Sequence, residues 1–436
     1  MNPRVLCRKM FDTAVARAQP AVCLPPHIPT WLPRHRVLVL ACGKSGAHMA
    51  EACERHYLDG GLIDPERLTG ICVTRHGYGR PLTNIRCVEA GHPVPDAAGL
   101  AATADVLKLA AGAGEDDFAL VLISGGGSAN WVAPAEGVAM EDKQALTRAL
   151  LASGAPISDI NTVRKHLSRI KGGRLAKALH PARSLSLLIS DVPGDDPSFI
   201  ASGPAVPDPT TAADALRALQ RRNIPISTPV RAVLESPAGE TPKPGDPVFA
   251  NAELKIVARP VDSLEAAAAI GRAAGYEVEL LGDSLEGEAR DVGKAHGRMA
   301  VEALRRDRRM ILLSGGELTV TLRNEAGSGG PNQEYALALL CTTDGKAGIT
   351  ALAADTDGTD GGGGAATDPA GAFVDASTLT KAKGLGLIAA NFLKTNNTSR
   401  FFGRTGDLLV TGPTGTNVND FRCIVVDNRN LDGQNF

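Results

Sequence analysis

The sequence predicts an α/β protein of two layered domains, the first of them Rossmann-like, with an active-site cleft between the two. Three observations predict it. Short apolar runs recur along the chain, each ending in a glycine-rich turn that gives way to a helical pattern. These runs are apolar throughout, as expected of parallel strands buried on both faces. At 436 residues the chain also exceeds the usual size of a single core.

Taken in order, the runs are Val37–Leu40, Leu68–Val73, Phe118–Ile123 and Leu185–Ile189, then Leu254–Ala258, Tyr276–Leu281, Met310–Leu313 and Leu408–Val410. Helical patterns lie between many of them, at Glu141–Ala152, Asp262–Ala274 and Glu286–Leu304. The clearest helix runs from Asn161 to Arg174, where Ile160, Val163, Leu167 and Ile170 repeat at spacings of three and four. The stretch from Ser236 to Pro247 is dense in proline and glycine and reads as the domain boundary, giving domains of residues 1–240 and 241–436. The glycine run Gly361–Gly364 is the one biased segment.

Composition narrows the class. A net charge of −2 gives no basic surface for nucleic acid or an anionic membrane, and no apolar stretch is long enough to span a bilayer. The eight cysteines are scattered, without a C-x-x-C pair, which fits reduced thiols in the cytoplasm. The N-terminus lacks the apolar core of a secretory signal.

The candidate chemistry follows the strands, because ligands in open α/β sheets bind outside their carboxyl ends. The first run breaks into Gly43-Lys44-Ser45-Gly46. A P-loop would need glycine at position 38, which is Leu38, and G-x-G-x-x-G is absent. Lys44 still stands where a strand passes into a helix, a place that favours anions, so it is either phosphate-facing or a solvated surface lysine. After the third run, Ser124-Gly125-Gly126-Gly127-Ser128 lets the backbone approach a ligand and turn several amides toward it. Asp191 follows the next strand, in position for metal binding or general-base work, while Asp195 and Asp196 read as turn residues. On the predicted helix, Arg164 and Lys171 fall on one line beside the buried stripe, with Asn161 next to them, placed to clamp carboxylate or phosphate. Lys165 and Arg169 read as a solvated basic face, and His166 as a packed histidine.

In the second half, Gly315-Gly316-Glu317 forms a similar turn, and Asn332 stands at a helix start, where it caps the helix or meets a nucleotide. The loop Asp355-Thr-Asp357-Gly-Thr-Asp360 points three carboxylates at one hard cation or is a solvated turn. It is not an EF-hand, since residue 366 is alanine where glutamate is required.

Read together, GKSGAHMA, GHPVPD, LISGGGSA, NTVRKHLSRIKGGRLA, SDVPGDDPSFIASGPAVPDPTT, LSGGELTVTL, GGPNQEYALAL, ADTDGTDG and GDLLVTGPTGTNVND resemble the class II glycerate kinases, glycerate 2-kinases with a C-terminal MOFRL domain. The resemblance runs from about Gly43 to Asp420. It implies two α/β domains, a cleft between them, and ATP- and Mg²⁺-dependent phosphorylation of D-glycerate to 2-phospho-D-glycerate. It implies a catalytic role for Lys44; from the residues themselves, Asp191 and Arg164 are expected beside it. Ser124, Gly125, Gly126, Gly127, Ser128, Asn161 and Lys171 would meet substrate or phosphate, and Gly315, Gly316, Glu317 and Asn332 the nucleotide. Asp355, Asp357 and Asp360 would hold the metal. Some family members carry an active-site arginine where this chain has Pro331, so that charge must come from elsewhere, with Arg164, Lys171 and Arg323 available. Nothing in the resemblance calls for a nucleic acid or membrane partner, and it leaves room for a homodimer. The alternative activity is an NAD(P)H-dependent hydroxypyruvate reductase, a label often given to this family. Another is a metabolite-binding sensor without turnover.

Overall fold

The computed structural model describes residues 1–31, 35–324, 327–362, 365 and 367–431. Gly363 and Gly364 of the glycine run, and Ala366, lie outside them. The chain divides into two compact units, one of residues Cys23–Val257 and one of Met1–Val22 with Ala258–Phe436.

The first unit is built on strands β1 (Val37–Cys42), β2 (Leu68–Arg75), β3 (Ile85–Ala90), β4 (Phe118–Ile123), β5 (Arg183–Ile189) and β6 (Ala252–Ala258). They lie in the order β3-β2-β1-β4-β5-β6. From β3 to β5 every pairing is parallel, with Val37 level with both Leu68 and Phe118. All six residues of β1 and of β4 are buried, which accounts for their unbroken apolar sequence. This order is that of a dinucleotide-binding domain, and its switch point falls between β1 and β4.

The second unit carries β7 (Glu277–Leu280), β8 (Met310–Ser314), β9 (Ile349–Asp355), β10 (Gly371–Val374), β11 (Leu408–Leu409) and β12 (Asp420–Val426), in the order β11-β10-β9-β12-β8-β7. Only β7 and β8 run parallel; the other four pairings are antiparallel. The reading of apolar runs as parallel strands is thus corrected for this sheet. Helices cover both its faces, so its central strands are apolar for the same reason that parallel strands are.

One of those covers comes from the far end of the sequence. Helix Pro3–Arg17 buries Leu6, Met10, Phe11 and Ala14 against Leu264, Ala268, Ile311 and Phe421. Arg4 adds an ion pair to Asp375 at 2.9 Å. The first 22 residues therefore pack with the C-terminal sheet, not with the domain of residues 1–240 to which sequence order assigns them. The proline-rich stretch from Ser236 to Pro247 likewise lies inside the first unit. It is pinned there by His166 Nδ1 on the Gly239 carbonyl at 2.7 Å and by Arg174 on the Ala238 carbonyl at 2.9 Å. Among the described residues, no helix is long and apolar enough to cross a membrane.

Helices Met140–Ala152, Pro260–Ala273 and Ala289–Arg305 stand where the periodicity places them. The helix expected over Asn161–Arg174 is instead two: Ile157–His166 and Arg174–Leu179. Between them Ser168 bridges Pro134, the Leu167 carbonyl takes the Ala135 amide, and Gly172 and Gly173 adopt φ of +58° and +78°. An apolar stripe at spacings of three and four cannot distinguish a continuous helix from one that ends and leaves Ile170 buried on a turn.

Candidate active site

The site begins where β1 and β4 end side by side, Cys42 level with Ile123. Gly43 has φ +99°, and a β-carbon there would sit 2.4 Å from the Ser124 carbonyl oxygen. The two loops are laced together through that gap. The Lys44 amide donates to the Gly125 carbonyl at 2.8 Å, the Ser45 amide to Ser124 Oγ at 3.0 Å, and Ser124 Oγ to the Cys42 carbonyl at 3.2 Å.

Three polar side chains close on the glycines. A β-carbon on Gly126, whose φ is +82°, would lie 3.0 Å from the His92 ring and 3.3 Å from Lys44 Cγ. One on Gly125 would strike the Asp191 carboxylate at 1.6 Å. Among the described residues neither the Gly125 nor the Gly126 amide has a hydrogen-bond acceptor. Lys44, Asp191 and the glycine loop are thus brought together by the absence of side chains between them. His92 belongs to this group too. Its sequence signal is the GHPVPD stretch, where a histidine between glycine and proline reads as no more than a turn.

The loop's far end extends the set. Ser128 Oγ lies 2.7 Å from Ser202 Oγ, which donates to Asn161 Oδ1 at 3.2 Å. Ser202 and its neighbour Ala201 both hold positive φ, +62° and +50°, an unusual backbone for residues other than glycine. No propensity in the sequence marks that turn.

A cavity of about 410 Å³ opens beside the loop, lined by His92, Gly126, Ser128, Lys143, Arg164 and Lys171, among others. Arg164 and Lys171 therefore face one space, although the helix that was to align them is broken. Lys171 is fully buried, and its ammonium donates to the Ser128 and Trp131 carbonyls at 2.9 Å each. Burial, then Lys143 and Arg164, hold its pKa well below that of a free lysine. Arg164 is half-buried and makes no hydrogen bond or ion pair among the described residues. Lys165 is not the solvated residue expected from sequence. It is buried, 3.4 Å from Asp208. Arg169 is exposed and His166 packed, as expected. Asp195 and Asp196 sit in the turn after β5, where Asp196 accepts the Ser198 amide at 2.8 Å.

The second unit's candidates form a separate, tightly bonded set. The Gly315 amide is taken by the Gly282 carbonyl at 2.8 Å. The carbonyls of Gly315 and Gly316 accept from Arg422 at 2.7 and 3.2 Å. A β-carbon on Gly316 would lie 2.2 Å from the Leu285 amide, so that glycine serves the close passage of two backbones. Glu317 beside it is exposed. Asn332 does not cap helix Pro331–Thr343; Asp360 does, accepting the Asn332 and Gln333 amides at 2.8 Å each. Pro331 fills the first position of that helix, where a missing amide costs nothing. The Asn332 side chain joins Asp360 to Asp420, and Asp420 pairs with Arg422. Burial, reinforced by Asp420, pushes the Asp360 carboxyl up to about 7 against the pull of the two amides.

Asp355 and Asp357 each spend an oxygen on a turn, accepting the Asp357 and Thr359 amides at 2.9 and 2.8 Å. Among the described residues no three His, Cys, Asp or Glu side chains gather as a metal site. The expected cage of Asp355, Asp357 and Asp360 is therefore not formed, because the third carboxylate is drawn to a helix end.

Two family descriptions match the chain, a domain of unknown function (DUF4147) over residues 6–235 and the MOFRL family over residues 310–420. A protein of Agrobacterium vitis, provisionally named hydroxypyruvate reductase, is 44% identical over 98% of this chain and 95% of its own length. The D-glycerate 2-kinase of Thermotoga maritima is 40% identical, covering 88% of this chain and 89% of its own. The crystal structure of a Thermotoga maritima glycerate kinase superposes with a TM-score of 0.85 at 37% identity, over 97% of this chain and 98% of that one.

Proposed function

The chain belongs to the family of MOFRL-domain glycerate kinases, and on that premise we propose that it transfers the γ-phosphoryl group of ATP to the 2-hydroxyl of D-glycerate. The observation that carries the reading is the meeting of Lys44, Asp191 and two glycine amides without acceptors among the described residues at the switch point, beside a cavity lined by Arg164 and Lys171.

Phosphoryl transfer asks a protein mainly for positioning and for stabilisation of charge. Lys44 and the Gly125 and Gly126 amides suit the oxygens of the transferring group, which need donors held in place before the reaction. Arg164, whose guanidinium has no partner among the described residues, suits the glycerate carboxylate by a bidentate contact. Lys171, tied to the Ser128 carbonyl, holds the end of the loop against the cavity. Asp191 stands within reach of the same glycines and is assigned to accept the hydroxyl proton. Mg²⁺ arrives with the substrate as MgATP. Within the second unit, Glu317, Asp355 and Asp357 are assigned to nucleotide or metal, and Gly315, Gly316, Asn332 and Asp360 brace its own backbone.

The strand order would also suit a nicotinamide cofactor. Against a reductase stands the loop after β1, which lacks G-x-G-x-x-G. The end of β2 carries Thr74-Arg75-His76 where a ribose-binding acid is expected, with Thr74 Oγ1 bonded to the Gly43 carbonyl at 2.9 Å. A reducing compartment, the cytoplasm, suits eight cysteines that are all free. The test is ADP release that requires both D-glycerate and Mg²⁺. Turnover of Asp191→Asn should fall by about a hundredfold or more, and full turnover in that variant would remove Asp191 from the proton transfer.

A further inference from the structure

Among the described residues, every charged side chain lining the 410 Å³ cavity is cationic: Lys143, Arg148, Arg164 and Lys171, with His92 beside them, and no carboxylate lines it. Lys143, on helix Met140–Ala152, is 8% exposed, and its ammonium donates to the Leu167 carbonyl at 3.1 Å. The groups that act on it from the packed elements are Arg164, Lys171 and Arg174, all positive. On its own helix Arg148 lines the cavity, and Glu141 and Asp142 do not.

A buried ammonium among three cations is unfavourable unless an anion shares its space. We propose that Lys143 is a further anion-binding residue of this site, one that takes a proton from solvent as the anion enters and then pairs with it. The inference rests on reading this cavity as the substrate site of the kinase. Burial first, then Arg164 and Arg174, lower the Lys143 pKa to about 7 in the absence of an anion. At neutral pH about half of the molecules therefore carry that proton, and an anion a few ångströms away restores it to the rest.

The experiment is calorimetric titration of the whole chain at pH 7 and pH 8, in two buffers of different ionisation enthalpy, with D-glycerate and, separately, sulfate. Both anions keep a fixed charge across that range. Of the proton uptake per anion, Lys143 is expected to contribute about half a proton at pH 7, rising toward one at pH 8, from the value of about 7. Lys143→Arg should keep the affinity within about twofold while losing that uptake, because its charge is permanent. Lys143→Met should bind about tenfold more weakly. Unchanged uptake and affinity in both variants would overturn the assignment. The kinase reading is judged separately: uptake that depends on Lys143 without phosphorylation of glycerate would sink that reading and keep the anion site. Turnover with uptake indifferent to Lys143 would do the reverse.

Discussion

A methyl group at residue 126 would need a left-handed backbone and would lie 3.0 Å from the His92 ring. Gly126→Ala is therefore expected to cost about 1 kcal/mol or more of stability. It should cost activity more than that, since it pushes directly on Lys44 and His92. Thermal unfolding beside turnover separates the two losses. Lys44→Met should leave the fold intact and reduce kcat by a hundredfold or more, the usual cost of removing one donor from a developing charge. At Lys143 the folded pKa of about 7 lies below the ordinary lysine value of 10.5. The unfolded chain then holds more protons between those values, so this residue makes the protein more stable as pH rises from about 7 toward 10. Lys143→Met should flatten that rise in denaturant titrations. The residues of this site were legible as types at strand ends. The packing of Lys143 and Lys165 was not, because burial of a lysine depends on what the fold lays over it.

At the scale of elements, helix Pro331–Thr343 is held at its start by a carboxylate almost thirty residues away in sequence. Asp360 titrates near 7 in the folded state against an ordinary value of 3.8. Its contribution is fully present below about 4 and is lost as pH rises through about 7. Asp360→Asn should therefore reduce the fall in stability across that window, and Asp360→Ala should cost about 1–2 kcal/mol by leaving the helix end uncapped. The sequence showed three aspartates at near-alternate spacing, which fits a metal loop and a pair of turns followed by a cap equally well. Only the position of residues 332 and 333 decides between them. Periodicity located three helices within a few residues of their ends, and it failed for Asn161–Arg174 because a buried turn continued the stripe.

For the whole molecule, the N-terminal helix illustrates what a linear reading cannot supply. Its stripe of Leu6, Met10, Phe11 and Ala14 announces a buried face but not the sheet that receives it. Phe11→Ala should destabilise the unit of residues 258–436 by about 3 kcal/mol or more, with calorimetry resolving whether the Cys23–Val257 unit melts separately. The α/β class and the two-unit organisation were readable, because recurrent apolar runs ending in glycine are a property of the chain itself. The antiparallel pairing of the second sheet was not, since a strand covered on both faces looks the same whichever way its neighbour runs. Phosphorylation of glycerate by this scaffold is tested most directly by ³¹P NMR of the purified protein with ATP, Mg²⁺ and D-glycerate, beside a control with hydroxypyruvate and NAD(P)H. A new 2-phosphoglycerate resonance that Lys44→Met abolishes is expected, with no nicotinamide oxidation. Nicotinamide oxidation in the control without any phosphorylated glycerate would overturn the kinase assignment.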